Sequence, residues 1–116
     1  MAASKKAAGE TLVWLSYDLG IQGDYEGLYA WLDRHQAKEC GDSLACFKYA
    51  HQGDLKSAIK ADLSKAFTKS NRTRIYVVYR DAKADTLKGC FLFGARRASP
   101  WQGFAEVPCA DDEDGE

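Results

Sequence analysis

Along Thr11–Asp18 (TLVWLSYD) side chains alternate with a period of two, Val13, Leu15 and Tyr17 on one side and Leu12, Trp14, Ser16 and Asp18 on the other. Both sides stay apolar until Ser16 and Asp18, which predicts a central strand whose last turn alone reaches water. Gly20-Ile21-Gln22-Gly23 turns the chain, and Asp24 is suited to cap the next element. From Tyr25 to His35 the period becomes helical, with Tyr25, Leu28, Tyr29 and Leu32 on one face and Trp31 at its edge. Ala37–Ala50 is too short for a further helix and its loop. Gly41-Asp42-Ser43 has turn composition, so a tight hairpin is predicted, Lys38–Cys40 followed by Leu44–Tyr49. The alternative is one long strand. After His51-Gln52-Gly53, Asp54 caps a second helix in which Leu55, Ile59, Leu63 and Phe67 recur every four residues. Lys56, Lys60, Lys65 and Lys69 take its more exposed positions. Two strands close the pattern, Arg74–Arg80 (RIYVVYR) and Leu87–Gly94 (LKGCFLFG), joined by the loop Asp81–Thr86.

The predicted order is therefore β-α-β-β-α-β-β. Its first six elements give an α+β class, a ferredoxin-like β-α-β-β-α-β antiparallel sheet with both helices on one face, and the seventh is an added C-terminal strand. A single domain is expected over residues 11–104, between a disordered N-terminus at 1–10 and a disordered acidic tail at 105–116.

Composition changes this picture little. At 116 residues the chain buries a core without cross-links, and 46% hydrophobic with 28% charged residues excludes a disordered polypeptide. No apolar run approaches the roughly 18 residues of a membrane span, and MAASKKAAGE carries no apolar segment that would serve as a secretory signal. A cytoplasmic location with no membrane partner is the expectation. The four cysteines, Cys40, Cys46, Cys90 and Cys109, form no C-x-x-C and pair with no histidine at zinc spacing. Cys46 and Cys90 sit in strand patterns, where a small buried hydrophobe is the ordinary role.

Charge is divided more sharply than the net −1 suggests. Eleven Lys/Arg face three acids between Lys56 and Arg97, whereas eight acids face three bases from Glu10 to Asp54. Asp111–Glu116 adds five acids, without which the chain is net +4. A basic half beside an acidic one suggests a polyanion partner or self-association; a solvated lysine-rich helix face is the plainer reading.

Three segments, Leu15-Ser16-Tyr17-Asp18-Leu19, Asp42-Ser43 before an apolar strand, and the second helix running into Arg74-Ile75-Tyr76-Val77-Val78, resemble a ferredoxin-like family over roughly residues 11–80. That family includes the small CRISPR-associated adaptation subunit, the VapD endoribonuclease toxins and SinR-like proteins. The resemblance implies a homodimer acting on RNA or DNA. It also implies that Asp18 is a catalytic residue or metal ligand, paired with its copy across the dimer, and that the last strand completes the partner's sheet. This chain departs in its shorter hairpin, in lacking a basic cluster after the second strand, and in its acidic tail.

The candidate site residues follow. Asp18 stands at the carboxyl end of the first strand, where side chains point into a crevice. Two copies of it suit Mg²⁺ or Mn²⁺, which takes oxygen ligands and activates water for phosphodiester cleavage. The alternative is that Asp18 caps the turn at Gly20–Gly23. Arg96 and Arg97 beside Trp101 resemble a phosphate clamp with a stacking surface. Arg74, Tyr76 and Arg80 share one strand face open to nucleic acid or a partner. His35 suits the dipole at its helix end, and His51 has only its residue type to suggest a base. The expected function is a small dimeric nucleic-acid-interacting protein, a nuclease or a nuclease-like subunit. Its competitor is a non-catalytic interaction or regulatory module of the same fold.

Overall fold

β1 (Gly9–Asp18) runs between two antiparallel neighbours. It pairs with β3 (Leu44–His51) from Gly9↔His51 to Ser16↔Leu44, and with β4 (Arg74–Asp81) from Val13↔Tyr79 to Asp18↔Arg74. β2 (Lys38–Glu39) edges the sheet beyond β3, and β5 (Thr86–Phe93) edges it beyond β4, giving the order β2-β3-β1-β4-β5. Helix α1 (Tyr25–Arg34) follows β1 and helix α2 (Leu55–Ala66) follows β3. The protein is thus α+β, a five-stranded antiparallel sheet with two helices in the predicted order. Ala37–Ala50 is a hairpin and not one strand.

The computed structural model describes residues 9–105. The acidic tail, Cys109 and most of the N-terminus expected to be disordered lie outside the described residues. Gly9 and Glu10, assigned to that terminus from the sequence, belong to β1, because β3 extends to His51 and offers them partners. No helix among the described residues is long and apolar enough to cross a membrane.

One core cluster joins both helices to one side of the sheet. Val13, Leu15, Phe47, Tyr49, Ile75 and Val77 point inward at period two, and Leu28, Trp31, Leu32, Leu55, Ile59 and Leu63 meet them at helical spacing. Trp31, expected at the rim of its helix face, is 1% exposed and packs edge-on against Phe47 at 5.3 Å. Its indole Nε1–H donates to Asp62 Oδ2 at 3.2 Å, and the Tyr49 hydroxyl donates to the same oxygen at 3.1 Å. This satisfies both polar tips where α1, α2 and β3 converge. Burial first, then the Asp62 carboxylate, pushes the Tyr49 hydroxyl up to about 12. Conversely, Tyr29, read from the sequence as core, is half exposed at the outer rim, in edge contact with Tyr17.

The helices are also clamped together at the start of α1. Asp24 Oδ1 accepts from Gly27 N–H at 3.0 Å, capping α1, while Oδ2 accepts from Thr68 N–H at 2.8 Å, just past α2. Gly27 belongs to this contact: a Cβ there would sit 2.7 Å from Ala66 O. Only a residue without a side chain lets α1 approach the end of α2 so closely.

β1 corrects one expectation. It is central, but only one of its faces is buried: Leu15 is inaccessible, whereas Leu12 is 41% exposed and Trp14 half-buried. Both helices lie on the Leu15 side, and among the described residues none remains to cover the other. Cys46, beside Trp14 on that uncovered side, is half-buried, whereas Cys90, beside Val77 on the helix side, is half-buried where it packs against the core.

Two predictions test this arrangement. By urea unfolding, Leu15→Ala should cost about 2–5 kcal/mol, and Leu12→Ser less than about 1 kcal/mol; equal losses would mean that both faces are covered. The second concerns Asp24, whose carboxyl is held below its ordinary 3.8 by the Thr68 N–H and then by that of Gly27. A depressed folded-state pKa gives stability that is present above the unfolded value and lost as pH falls through the folded one. Asn offers a single oxygen for two donors, so Asp24→Asn should lower the melting temperature at pH 7 and flatten its fall below about pH 4.

Candidate nucleic-acid interface

The uncovered side of the sheet is built by register. Ser16 pairs with Tyr76, and Tyr76 with Phe91, so the three side chains stand in a row. Trp14, Val78 and Gly89 make the next row, and Asp18 pairs with Arg74 at the strand end. Tyr76 and Phe91 meet edge to face at 4.8 Å and 74°. The Tyr76 ring leans across Gly89: a Cβ there would lie 2.4 Å from its hydroxyl oxygen. A register shift between Ile75 and Tyr76 twists β5 at this place, so that Leu92 and Phe93 are both buried and Phe91 faces outward.

After β5 the chain folds back over this row. Gly94 has φ +82°, and a Cβ there would press on Thr73 O at 2.7 Å, so glycine is required for the reversal. The Arg74 Nε–H donates to Ala95 O at 3.2 Å and fixes the returning segment. The Arg96 guanidinium is thereby placed 5.7 Å from the Tyr76 centroid and 5.6 Å from that of Phe91, while Arg74 stands 5.4 Å from Phe91. Guanidiniums over ring faces are favourable electrostatically, and they remain open to further stacking.

Two adjoining clefts of about 300 and 280 Å³ share Asp18 and Arg74. One is floored by Tyr76 and Phe91 and flanked by Arg96; the other is lined by Arg72 and Arg97. Among the described residues Asp18 is the sole carboxylate lining them. Its Oδ1 accepts from Gly20 N–H at 3.1 Å, and its Oδ2 lies 3.5 Å from Arg97 Nη2. Both side chains are more than half exposed, so the pair is worth about 1 kcal/mol or less. Arg72, Arg74 and Arg96 make no ion pair among the described residues. The clefts are therefore strongly cationic.

Such a donor set does not fit a divalent cation within one chain. Mg²⁺ wants near-octahedral oxygens. Here one carboxylate stands among four guanidiniums, and no group of three or more His, Cys, Asp or Glu that could hold a metal occurs among the described residues. The contacts of Asp18 are those of a turn cap with a charged neighbour.

Of the residues singled out from the sequence, Asp18, Arg74, Arg96 and Arg97 come together here. Arg80 faces the same side but stands at the other end of β4, bound to Asp85. Trp101 is 71% exposed in the turn after the clefts and stacks on no ring among the described residues. His51 Nδ1–H donates to Gly53 O and its Nε2 meets the Thr11 hydroxyl across the β1–β3 pair, so it lines neither cleft. Phe91 and Arg72 were missed. The alternation of Phe91 with Gly89 and Leu87 carried the signal for the first, and nothing in the pattern marked the second.

No family model matches the chain. No curated protein and no solved structure matches it either.

If Asp18 is a turn cap, Asp18→Asn should melt within a degree or so of wild type, because an amide oxygen still accepts from Gly20. Asp18→Ala should cost about 0.5–1.5 kcal/mol. Neither melting point should respond to millimolar Mg²⁺. A wild-type melting temperature raised by Mg²⁺ and insensitive to it in Asp18→Asn would restore the metal role.

Proposed function

We propose that this protein binds single-stranded nucleic acid, RNA or DNA, on the open face of its sheet. The observation that carries the reading is the stack of Arg96 over Tyr76 and Phe91, with Arg74 and Arg72 beside it. Phosphates pair with guanidiniums in bidentate geometry. Bases stack on aromatic rings or on the guanidinium plane itself. A cleft whose floor is made of rings receives only bases free of a duplex, because paired bases present no face. The fold supports the reading: the order β2-β3-β1-β4, with a helix after β1 and after β3, is compatible with a ferredoxin-like sheet, and β5 is the addition that brings Phe91.

Cleavage is not part of the proposal. Among the described residues the clefts hold one carboxylate and no histidine, a set suited to binding and orienting a ligand.

Anisotropy of labelled single-stranded RNA and DNA at two salt concentrations tests the proposal. Affinity should fall steeply as salt rises. Tyr76→Ala should weaken binding by about 5- to 150-fold, the equivalent of one stacked base at about 1–3 kcal/mol. Arg96→Lys should also weaken it, since charge is kept but the plane is lost, while Arg80→Ala should leave it near wild type. Unchanged affinity in Tyr76→Ala, or no binding at low salt, would overturn the proposal.

A further inference from the structure

β5 is bordered by cations on both of its sides. On the open side stand Arg74 and Arg96. On the helix side, Lys60 from α2 and Lys69 from the link after it converge on Phe93, with ammoniums 6.0 and 5.3 Å from its ring centroid. Phe93 itself is buried, held edge-on against Phe67 at 5.8 Å, so the two lysines lie over a rigid floor. Neither lysine makes an ion pair among the described residues. Between them is a cleft of about 430 Å³, walled by Ser70, Asn71 and Thr73, and it reaches Phe91. Phe91 also floors the arginine cleft on the other side. One ring thus links a basic stacking site to a second basic cleft, lined by no carboxylate among the described residues.

We infer that Lys60 and Lys69 form a second phosphate-binding subsite, which takes the backbone of the same strand as it passes from the open face around the β5 edge. This deepens the nucleic-acid reading and rests on it. The chemistry of the two clefts differs in the way such a path requires. Guanidinium planes over exposed rings suit bases and the phosphates next to them. Ammoniums act as point charges and suit a backbone whose bases face away. The hydroxyl and amide side chains of Ser70 and Asn71 add hydrogen-bonding groups that are neutral to sequence. A strand on this path carries at least two more neutralised phosphates than one confined to the open face.

The experiment compares a tetranucleotide with a single strand of about 12 nucleotides, a span that one small domain accommodates. Wild type, Lys60→Ala/Lys69→Ala and Arg74→Ala/Arg96→Ala are titrated against both at several salt concentrations. The lysine variant should bind the tetranucleotide as wild type does and lose affinity for the longer strand at least tenfold. For that strand, the slope of log affinity against log salt should fall by about 1.4, since each phosphate contributes about 0.7 on a single strand. The arginine variant should lose both ligands. If the lysine variant binds both lengths like wild type, the second subsite is wrong while the open-face reading stands. Equal weakening for both lengths would mean diffuse charge and no subsite, and would also overturn it. Should wild type bind neither ligand, both readings fall. A lysine variant that differs from wild type only in sedimentation would assign the cleft to a second copy of the chain instead.

Discussion

Asp24 sets the layout of the molecule. One of its oxygens caps α1 through Gly27 and the other holds the backbone just beyond α2 at Thr68. With no side chain at Gly27, the helices close on each other over a single face of the sheet. Among the described residues, two helices of 10 and 12 residues are all the covering there is. Bringing both to the Leu15 side therefore leaves Leu12, Trp14, Tyr76, Val78 and Phe91 uncovered or half-covered. The exposed platform is a consequence of the clamp.

What stands on that platform follows from local chemistry. A glycine at 89 gives the Tyr76 ring room to lie across β5, and a glycine at 94 lets the chain reverse onto Arg74. Arg74 then has two tasks: its Nε–H pins the returning backbone, and its charge stands beside Phe91. Arg96 arrives over the rings because of that pin. Asp18 limits the local charge without cancelling it, since a half-exposed pair at 3.5 Å screens one of four guanidiniums. The result is a site suited to a ligand that is both anionic and aromatic.

Much of the fold was legible in the sequence, because spacing and composition are local properties: Leu55, Ile59 and Leu63 mark a helix face, and the run Arg74–Arg80 marks a strand. Both helix caps, Asp24 and Asp54, were readable as well. Which side of β1 would be covered was not, since Leu12 and Trp14 are as apolar as Val13 and Leu15 and only the placing of distant helices distinguishes them. Of the candidate site, Asp18, Arg74 and Arg96 were identified singly. Their convergence depends on the register Asp18↔Arg74 and on the reversal at Gly94, both of which are tertiary. Arg80 was grouped with Arg74 by spacing along one strand face, but the five strand positions between them separate the two ends of the sheet. Phe91 was obscured by the register shift in β5, which breaks the alternation at Leu92 and Phe93.

The central claim is that the uncovered face of the sheet is the binding surface. It is tested most directly by following the backbone amide signals of an isotope-labelled chain as a single-stranded oligonucleotide is added. The account predicts that shifts concentrate at Ser16, Asp18, Arg74, Tyr76, Phe91 and Arg96, and leave α1 from Glu26 to Arg34 unmoved. Shifts centred on α1, or none at concentrations where binding is otherwise measured, would contradict it.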